Sequence, residues 1–281
     1  MKKISLILVL ALALGLFAGC SGSGFSQVAA TTAPVYQFTS ALCQGTDITV
    51  SLLVSENVSC LHDYSLNVRQ VQMAEAAEVI VISGGGTEDF MADVLDDSKV
   101  IDSSKGIELV SREEGAAPDS HIWLSPMLAK QMAANICQGL AQKYPNEKAT
   151  FEANLAVLNG KFDELEAYGK SQLGELPCRE LITFHDGFGY FADAFDLTIL
   201  RSIEEESGSE ISAKELSTLI ELVTEKKLPA IFTEVNGSDV SAHTIKAQTG
   251  VEVYKLDMCM GSLDYFAAMR RNIDTLKEAL G

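Results

Sequence analysis

Residues 147–173 read EKATFEANLAVLNGKFDELEAYGKSQL. Within them Phe151, Leu155, Leu158, Phe162 and Leu165 recur at steps of four, three, four and three, with charged residues between. That spacing puts the apolar side chains on one stripe of an α-helix. Such a helix is ~40 Å long at 1.5 Å per residue. One small α/β unit does not need that length, so the stretch predicts a rigid strut between two lobes. Just before it, Ser125-Pro126 supplies an N-cap and a first-turn proline for a helix running to about Tyr144. Pro145-Asn146 separates the two. A coiled-coil hairpin would need a second matching stripe, which the chain does not offer.

Outward from the strut, short apolar runs alternate with helical patterns. Strand-like runs are Ile48–Val54, Glu78–Ile82 and Val100–Ile101 on one side. Glu180–Phe184, Leu197–Ile203, Ala230–Thr233 and Val251–Leu256 lie on the other. Helical patterns cover Asn67–Ala77, Thr87–Leu95, Ile211–Lys226, Val240–Thr249 and Leu263–Leu280. Strand–helix alternation implies βαβ units and parallel sheets. The fold class is therefore α/β: two lobes, each a mostly parallel sheet with flanking helices, joined by one long helix. The expected divisions are 34–145 for the first lobe, 146–174 for the linking helix and 175–281 for the second lobe.

The N-terminus is an address. Met1-Lys2-Lys3 is a short positive segment, Ile4–Phe17 is apolar, and Ala18-Gly19-Cys20 follows. The apolar run is too short to span ~30 Å of hydrocarbon and reads as a secretion signal. Small residues directly before Cys20 resemble a bacterial lipoprotein signal, which makes Cys20 the expected lipidation site and places the chain on the outer face of the cytoplasmic membrane. Residues 21–33, rich in Ser, Gly, Ala and Thr, read as a flexible tether. In an extracytoplasmic setting Cys43 and Cys60 are the preferred disulfide pair, with Cys60–Cys259 as the rival. Cys137, within a helical pattern, reads as a buried small hydrophobe.

The 281 residues carry 21 Lys and Arg against 39 Asp and Glu, a formal net charge of −18. That balance argues against a phosphate-backbone partner such as nucleic acid, because little net positive charge is available to displace counterions. A negative field favours cationic ligands at long range.

The chain has four histidines. His62 follows the strand ending at Val54, His121 precedes the Ser125-Pro126 helix start, and His185 ends the strand Leu181-Ile182-Thr183-Phe184. His243 lies inside a helical pattern and is set aside. Carboxyl ends of parallel strands form the ligand crevice of open α/β sheets. Asp257 and Glu234 also end strands. Neutral imidazoles and carboxylates suit a four-coordinate Zn²⁺ site, and three His plus Asp257 would complete one. The separations of 59 and 64 residues make no local motif, so spacing alone leaves each histidine open to an ordinary packing role. Glu234, Asp186 and Trp123 read as neighbours of the site. Gly84-Gly85-Gly86 is neither a dinucleotide fingerprint nor a P-loop and reads as a tight turn beside the cleft. Glu204-Glu205-Glu206 reads as a solvated loop. No G-x-S-x-G elbow is present, which disfavours a serine hydrolase.

At these residues the sequence resembles the metal-specific solute-binding lipoproteins of ABC importers for zinc and manganese. The family's first ligand lies in a D-P-H-x-Y-like segment, matched from the histidine onward by His62-Asp63-Tyr64. The second lies in D-P-H-x-W-L-S/D-P, matched by Asp119-Ser120-His121-Ile122-Trp123-Leu124-Ser125-Pro126. The third is matched by His185-Asp186-Gly187-Phe188-Gly189-Tyr190-Phe191. The fourth is an acidic residue near the last strand, for which Asp257 is the candidate, although Met258-Cys259-Met260-Gly261 departs from the family pattern.

The resemblance implies a monomer that captures Zn²⁺, with Mn²⁺ as the alternative, between two lobes and delivers it to an ABC permease. The ligands are then His62 and His121 from the first lobe, His185 and Asp257 from the second. A rigid helical link implies small tilts instead of wide hinging. Three nitrogens and one oxygen favour zinc over manganese, which takes more carboxylate. Protonated imidazole cannot ligate, so acid weakens binding. Two other readings remain: a secreted zinc hydrolase with Glu234 or Asp186 as base, and a metal-binding surface adhesin.

Overall fold

The computed structural model describes residues 25–55, 61, 64–112, 117–203, 211–261 and 264–281. The signal segment with Cys20, the cysteine Cys60, the first expected ligand His62 and the Glu204-Glu205-Glu206 run lie outside the described residues.

Two four-stranded parallel sheets form the molecule. The first contains β1 (Val28–Ala30), β2 (Val50–Leu52), β3 (Val79–Ile82) and β4 (Val100–Asp102) in the order β2-β1-β3-β4. The second contains β5 (Glu180–Thr183), β6 (Thr198–Ser202), β7 (Ala230–Glu234) and β8 (Glu252–Leu256) in the order β6-β5-β7-β8. The two lobes thus share one topology. In each, the chain leaves the first strand toward one edge and returns on its other side, so a switch point lies between β1 and β3 and again between β5 and β7. A crevice opens there at the carboxyl ends.

Eight α-helices are found among the described residues. They are α1 (Ala33–Leu42), α2 (Val68–Ala76), α3 (Pro126–Lys143), α4 (Lys148–Leu173), α5 (Gly189–Ala194), α6 (Ala213–Lys226), α7 (Val240–Thr249) and α8 (Tyr265–Leu280). None is long and apolar enough to cross a membrane. The expected helix over Thr87–Leu95 is instead a series of turns around a short 3₁₀ segment, Asp89–Met91.

The tether expected over 21–33 is corrected at its C-terminal end. Val28, Ala29 and Ala30 form the central strand β1, fully buried between β2 and β3. A strand buried on both faces shows no polar alternation, and three small residues flanked by Ser and Thr resemble a linker in sequence. Thr32 and Pro34 then open α1.

The long helix is α4, 26 residues. It packs against α3, which its apolar stripe meets after the Pro145 break, and it touches both lobes. Near its start Asn154 donates to the carbonyls of Leu42 and Gln44 at 2.8 Å. Near its end Tyr168 donates to Asp274 of α8. Gly169 lies where any Cβ would strike the Phe195 ring, so the helix can sit tight on the second lobe only with glycine there. One continuous core runs from Val28 through Phe38, Phe162 and Phe191 to Tyr265 and Leu280. The outer face of the second sheet has its own core around Ile182, Ile231 and Leu219. Lobes that share a core are not free to hinge widely.

Cys43, Cys137, Cys178 and Cys259 are free thiols. The expected Cys43–Cys60 disulfide falls partly outside the described residues, because Cys60 is not among them. Cys43 sits at the end of α1 inside the first core, where burial pushes its thiol up to about 12 and removes the thiolate that exchange requires. Cys259, half of the rival pair, is likewise fully buried.

The switch point of the first sheet is filled by Glu88. Its carboxylate accepts from the Thr31 hydroxyl at 2.6 Å, from Ser83 N at 2.8 Å and from Gly84 N at 2.9 Å. Gly84 has φ +80° and abuts Asp102 and Ser104 so closely that a Cβ would collide with both. Burial, helped by the Asp102 charge, pushes the Glu88 carboxyl up to about 7 from 4.5, against the pull of those hydrogen bonds. A folded-state value raised above the unfolded one means stability that is full below the unfolded value and is lost as pH rises toward 7. Urea unfolding of the metal-free protein is therefore expected to show the gap between wild type and Glu88→Gln shrinking from about pH 5 to about pH 8. A gap that widens over that range would contradict the assignment.

Candidate metal site between the lobes

His121 is set by a short local device. Asp119 Oδ1 accepts from His121 N and from His121 Nδ1, both at 2.9 Å. The 3₁₀ turn Ile122–Leu124 follows, and Ser125 caps α3 through Leu128 N. From the other lobe, His185 stands just past β5, and its Nδ1 lies 3.2 Å from Glu234 Oε1 at the end of β7. His185 and Glu234 thus flank the switch point of the second sheet. Both carboxylates are almost fully buried, Asp119 at 4% and Glu234 at 5% side-chain exposure.

The two rings meet across the cleft. Their centroids are 5.3 Å apart at 87°, and Nε2 faces Nε2 at 3.5 Å. When each Nδ1–H donates to its carboxylate, each Nε2 carries a lone pair. Two lone pairs pointed at one another repel unless a cation lies between them. At ~2.0–2.1 Å per Zn–N bond and a tetrahedral angle, the two nitrogens of a zinc site stand ~3.4 Å apart. The observed Nε2–Nε2 separation of 3.5 Å is close to that span. The carboxylate–imidazole pairs are the usual outer support of such ligands.

The walls are apolar and tightly filled. Trp123, 1% exposed, stands edge-on to His121 at 5.3 Å and donates from Nε1 to the Met258 carbonyl at 2.9 Å. A Cβ on Gly187 would collide with Met258 Cε and His185 Cδ2 and crowd His121 Cδ2. Glycine here lets the backbone approach both rings, and the Met258 methyl end borders them.

The remaining expected residues are less converged. Asp257 follows β8, with its backbone N and carbonyl clamped by Asn272 of α8 at 2.8 Å each. Its Oδ1 accepts from Cys259 N at 2.7 Å, and its Oδ2 lies 3.4 Å from Arg271. Among the described residues no three His, Cys, Asp or Glu are grouped to hold a metal, so Asp257 does not join the two imidazoles in this arrangement. Asp186 is half-buried beside His185. His243 is on α7, exposed, beside Asp239. Sequence reasoning missed the role of Asp119, although its position two residues before His121 was a usable signal. It also missed Met258, whose proximity is purely tertiary.

Two parallel α/β lobes that share a core and present one imidazole each to a common cleft define a cleft-type binding protein. The sequence pattern described as zinc-uptake complex component A, periplasmic (ZnuA), matches residues 28–279, and the chain belongs to that family. It is 29% identical to the zinc-binding lipoprotein AdcA of Streptococcus pneumoniae R6 over 99% of this chain and 61% of that protein. It therefore spans about three-fifths of that relative's length. It is 25% identical to the high-affinity zinc uptake system protein ZnuA of Bacillus subtilis 168, over 99% of this chain and 98% of that one. A crystal structure of ZnuA superposes with a TM-score of 0.82 at 30% identity, covering 90% of this chain and 98% of that chain.

Proposed function

We propose that this chain is the extracytoplasmic solute-binding component of an ABC importer, capturing a divalent transition metal, zinc ahead of manganese, for delivery to a membrane permease. The carrying observation is the pair of Nε2 atoms, one from each lobe, facing at 3.5 Å with Nδ1 of both rings on buried carboxylates. The family membership and the zinc-binding names of the relatives support the same reading. His121 and His185 hold the metal, His62 is the third ligand, and Asp257 becomes the fourth by exchanging its bond to Cys259 N for the cation. Glu234 and Asp119 fix the tautomers, Trp123 excludes water, and Asp186 stands at the cleft mouth. The protein acts by binding and release, as a monomer held at the membrane by lipid on Cys20. A charge of −18 concentrates cations near the cleft.

Imidazole nitrogen suits zinc, while manganese takes more carboxylate and water. Competition calorimetry on the chelator-stripped mature chain is expected to give one tight zinc per chain and weaker manganese. Asp257→Ala is expected to keep zinc but weaken it. Manganese preference would overturn the metal assignment. Tight binding of neither metal would overturn the cleft reading, and unchanged binding in Asp257→Ala would remove the fourth ligand.

A further inference from the structure

Resting on that reading of the cleft, we propose that Arg112 is a positioning residue that locks the second lobe onto the carboxylate orienting His121. The segment carrying His185 continues into α5, and α5 grips Arg112 and Asp119 of the first lobe. Arg112 Nη1 pairs with Asp193 Oδ2 of α5 at 2.8 Å. Arg112 Nε lies 3.4 Å from Asp119 Oδ2, while the other oxygen of Asp119 holds His121. The guanidinium lies over the Tyr190 ring of α5, 4.8 Å from its centroid. Any Cβ on Gly189 would strike the guanidinium, so the close approach requires that glycine. Tyr190 adds backbone contacts: its hydroxyl accepts from Val110 N at 2.9 Å and donates to the Asp119 carbonyl at 3.1 Å. Asp119 N in turn donates to the Val110 carbonyl at 2.9 Å.

One continuous path therefore runs from His121 through Asp119 and Arg112 to Asp193, eight residues past His185. Lobe closure and ring orientation become one event. When α5 sits on Arg112, Asp119 is pinned and His121 Nε2 points at its partner. When α5 lifts, Asp119 loses the Tyr190 hydroxyl on its carbonyl, and Arg112 loses the Asp193 carboxylate and the Tyr190 ring that hold it against Asp119. Arginine is required because its planar fork serves two carboxylates while stacking on an aromatic ring, which a point-charge ammonium cannot do. Asp193 is 60% exposed, so this arm of the path is open to screening by salt.

The test measures zinc release into excess chelator from zinc-loaded wild type, Arg112→Met, Arg112→Lys, Asp193→Asn and the Arg112→Met/Asp193→Asn double variant. Hydrogen exchange over 186–194 is followed in the metal-free proteins. Arg112→Met is expected to release zinc ~10–100-fold faster, the range typical for loss of an outer-shell partner, with Arg112→Lys between it and wild type. Asp193→Asn is expected to speed release less and to add nothing in the double variant, because the path is already cut. Wild-type release should accelerate with salt more than Arg112→Met release. Exchange at 186–194 should rise in Arg112→Met without zinc. Wild-type release and exchange in a folded Arg112→Met protein, or additive effects in the double variant, would overturn the lock. Absence of zinc binding in wild type would overturn the cleft reading itself, a result separable because the metal-free exchange comparison still reports on α5.

Discussion

His185→Ala is expected to abolish tight zinc binding while leaving the protein folded. The second lobe contributes this one described imidazole to the cleft, and its Nε2 is half of the facing pair. Removing an outer-shell partner alone costs ~10–100-fold in affinity, so removing a ligand is expected to cost at least the upper end of that range. Stability should fall less. His185 is not a core residue, and its approach to the buried Glu234 carboxylate is a 3.2 Å ion-pair contact. Calorimetry and thermal unfolding on the same metal-free sample separate the two effects. Near-normal affinity in a folded variant would mean that the metal sits elsewhere. His243→Ala, on the exposed face of α7, serves as the control that should change nothing.

The long helix was legible because one strong stripe of large apolar residues sustained its period from Phe151 to Leu165. The strands around β3, β5, β7 and β8 were legible for a related reason: β-branched and aromatic runs bounded by polar residues. What escaped was structure whose sequence carries little side-chain signal. Strand β1 is Val-Ala-Ala, and it is recognisable only once its neighbours bury it on both sides. Helix α5 hides in Gly189-Tyr190-Phe191, where a glycine start needed for Arg112 weakens the helical pattern. The histidines stood out because there are only four, yet no spacing rule joins residues 64 apart. What joins His121 to His185 is the pair of switch-point and loop geometries at the ends of two sheets. Asp257 was legible only as a strand-end carboxylate. It sits at the expected strand end, but the Met258-Cys259-Met260 segment turns its carboxylate onto Cys259 N and brings a methionine toward the rings.

Trp123→Ala is expected to carry the largest stability loss. The indole is 1% exposed and belongs to the core common to both lobes. Its Nε1 donates to the Met258 carbonyl of the second lobe, and its own carbonyl accepts from the Tyr265 hydroxyl at 2.7 Å. Tyr265 is in turn edge-packed on Phe38 at 5.0 Å. Truncation of a buried tryptophan costs ~3–5 kcal/mol through lost contacts and the cavity left behind, and here the Met258 carbonyl loses its donor as well. A domain's whole stability is ~5–15 kcal/mol, so Trp123→Ala should remove a large share of it. Trp123→Phe keeps much of the ring and removes the donor, for a loss of ~1–3 kcal/mol. Urea unfolding followed by circular dichroism measures both. The order Ala worse than Phe worse than wild type is required, and a loss under ~1 kcal/mol for Ala would mean that the cleft wall repacks without its indole. Trp123 is also the chain's single tryptophan, edge-on to His121, so its emission in the wild-type protein should shift on zinc addition and fail to shift in His185→Ala.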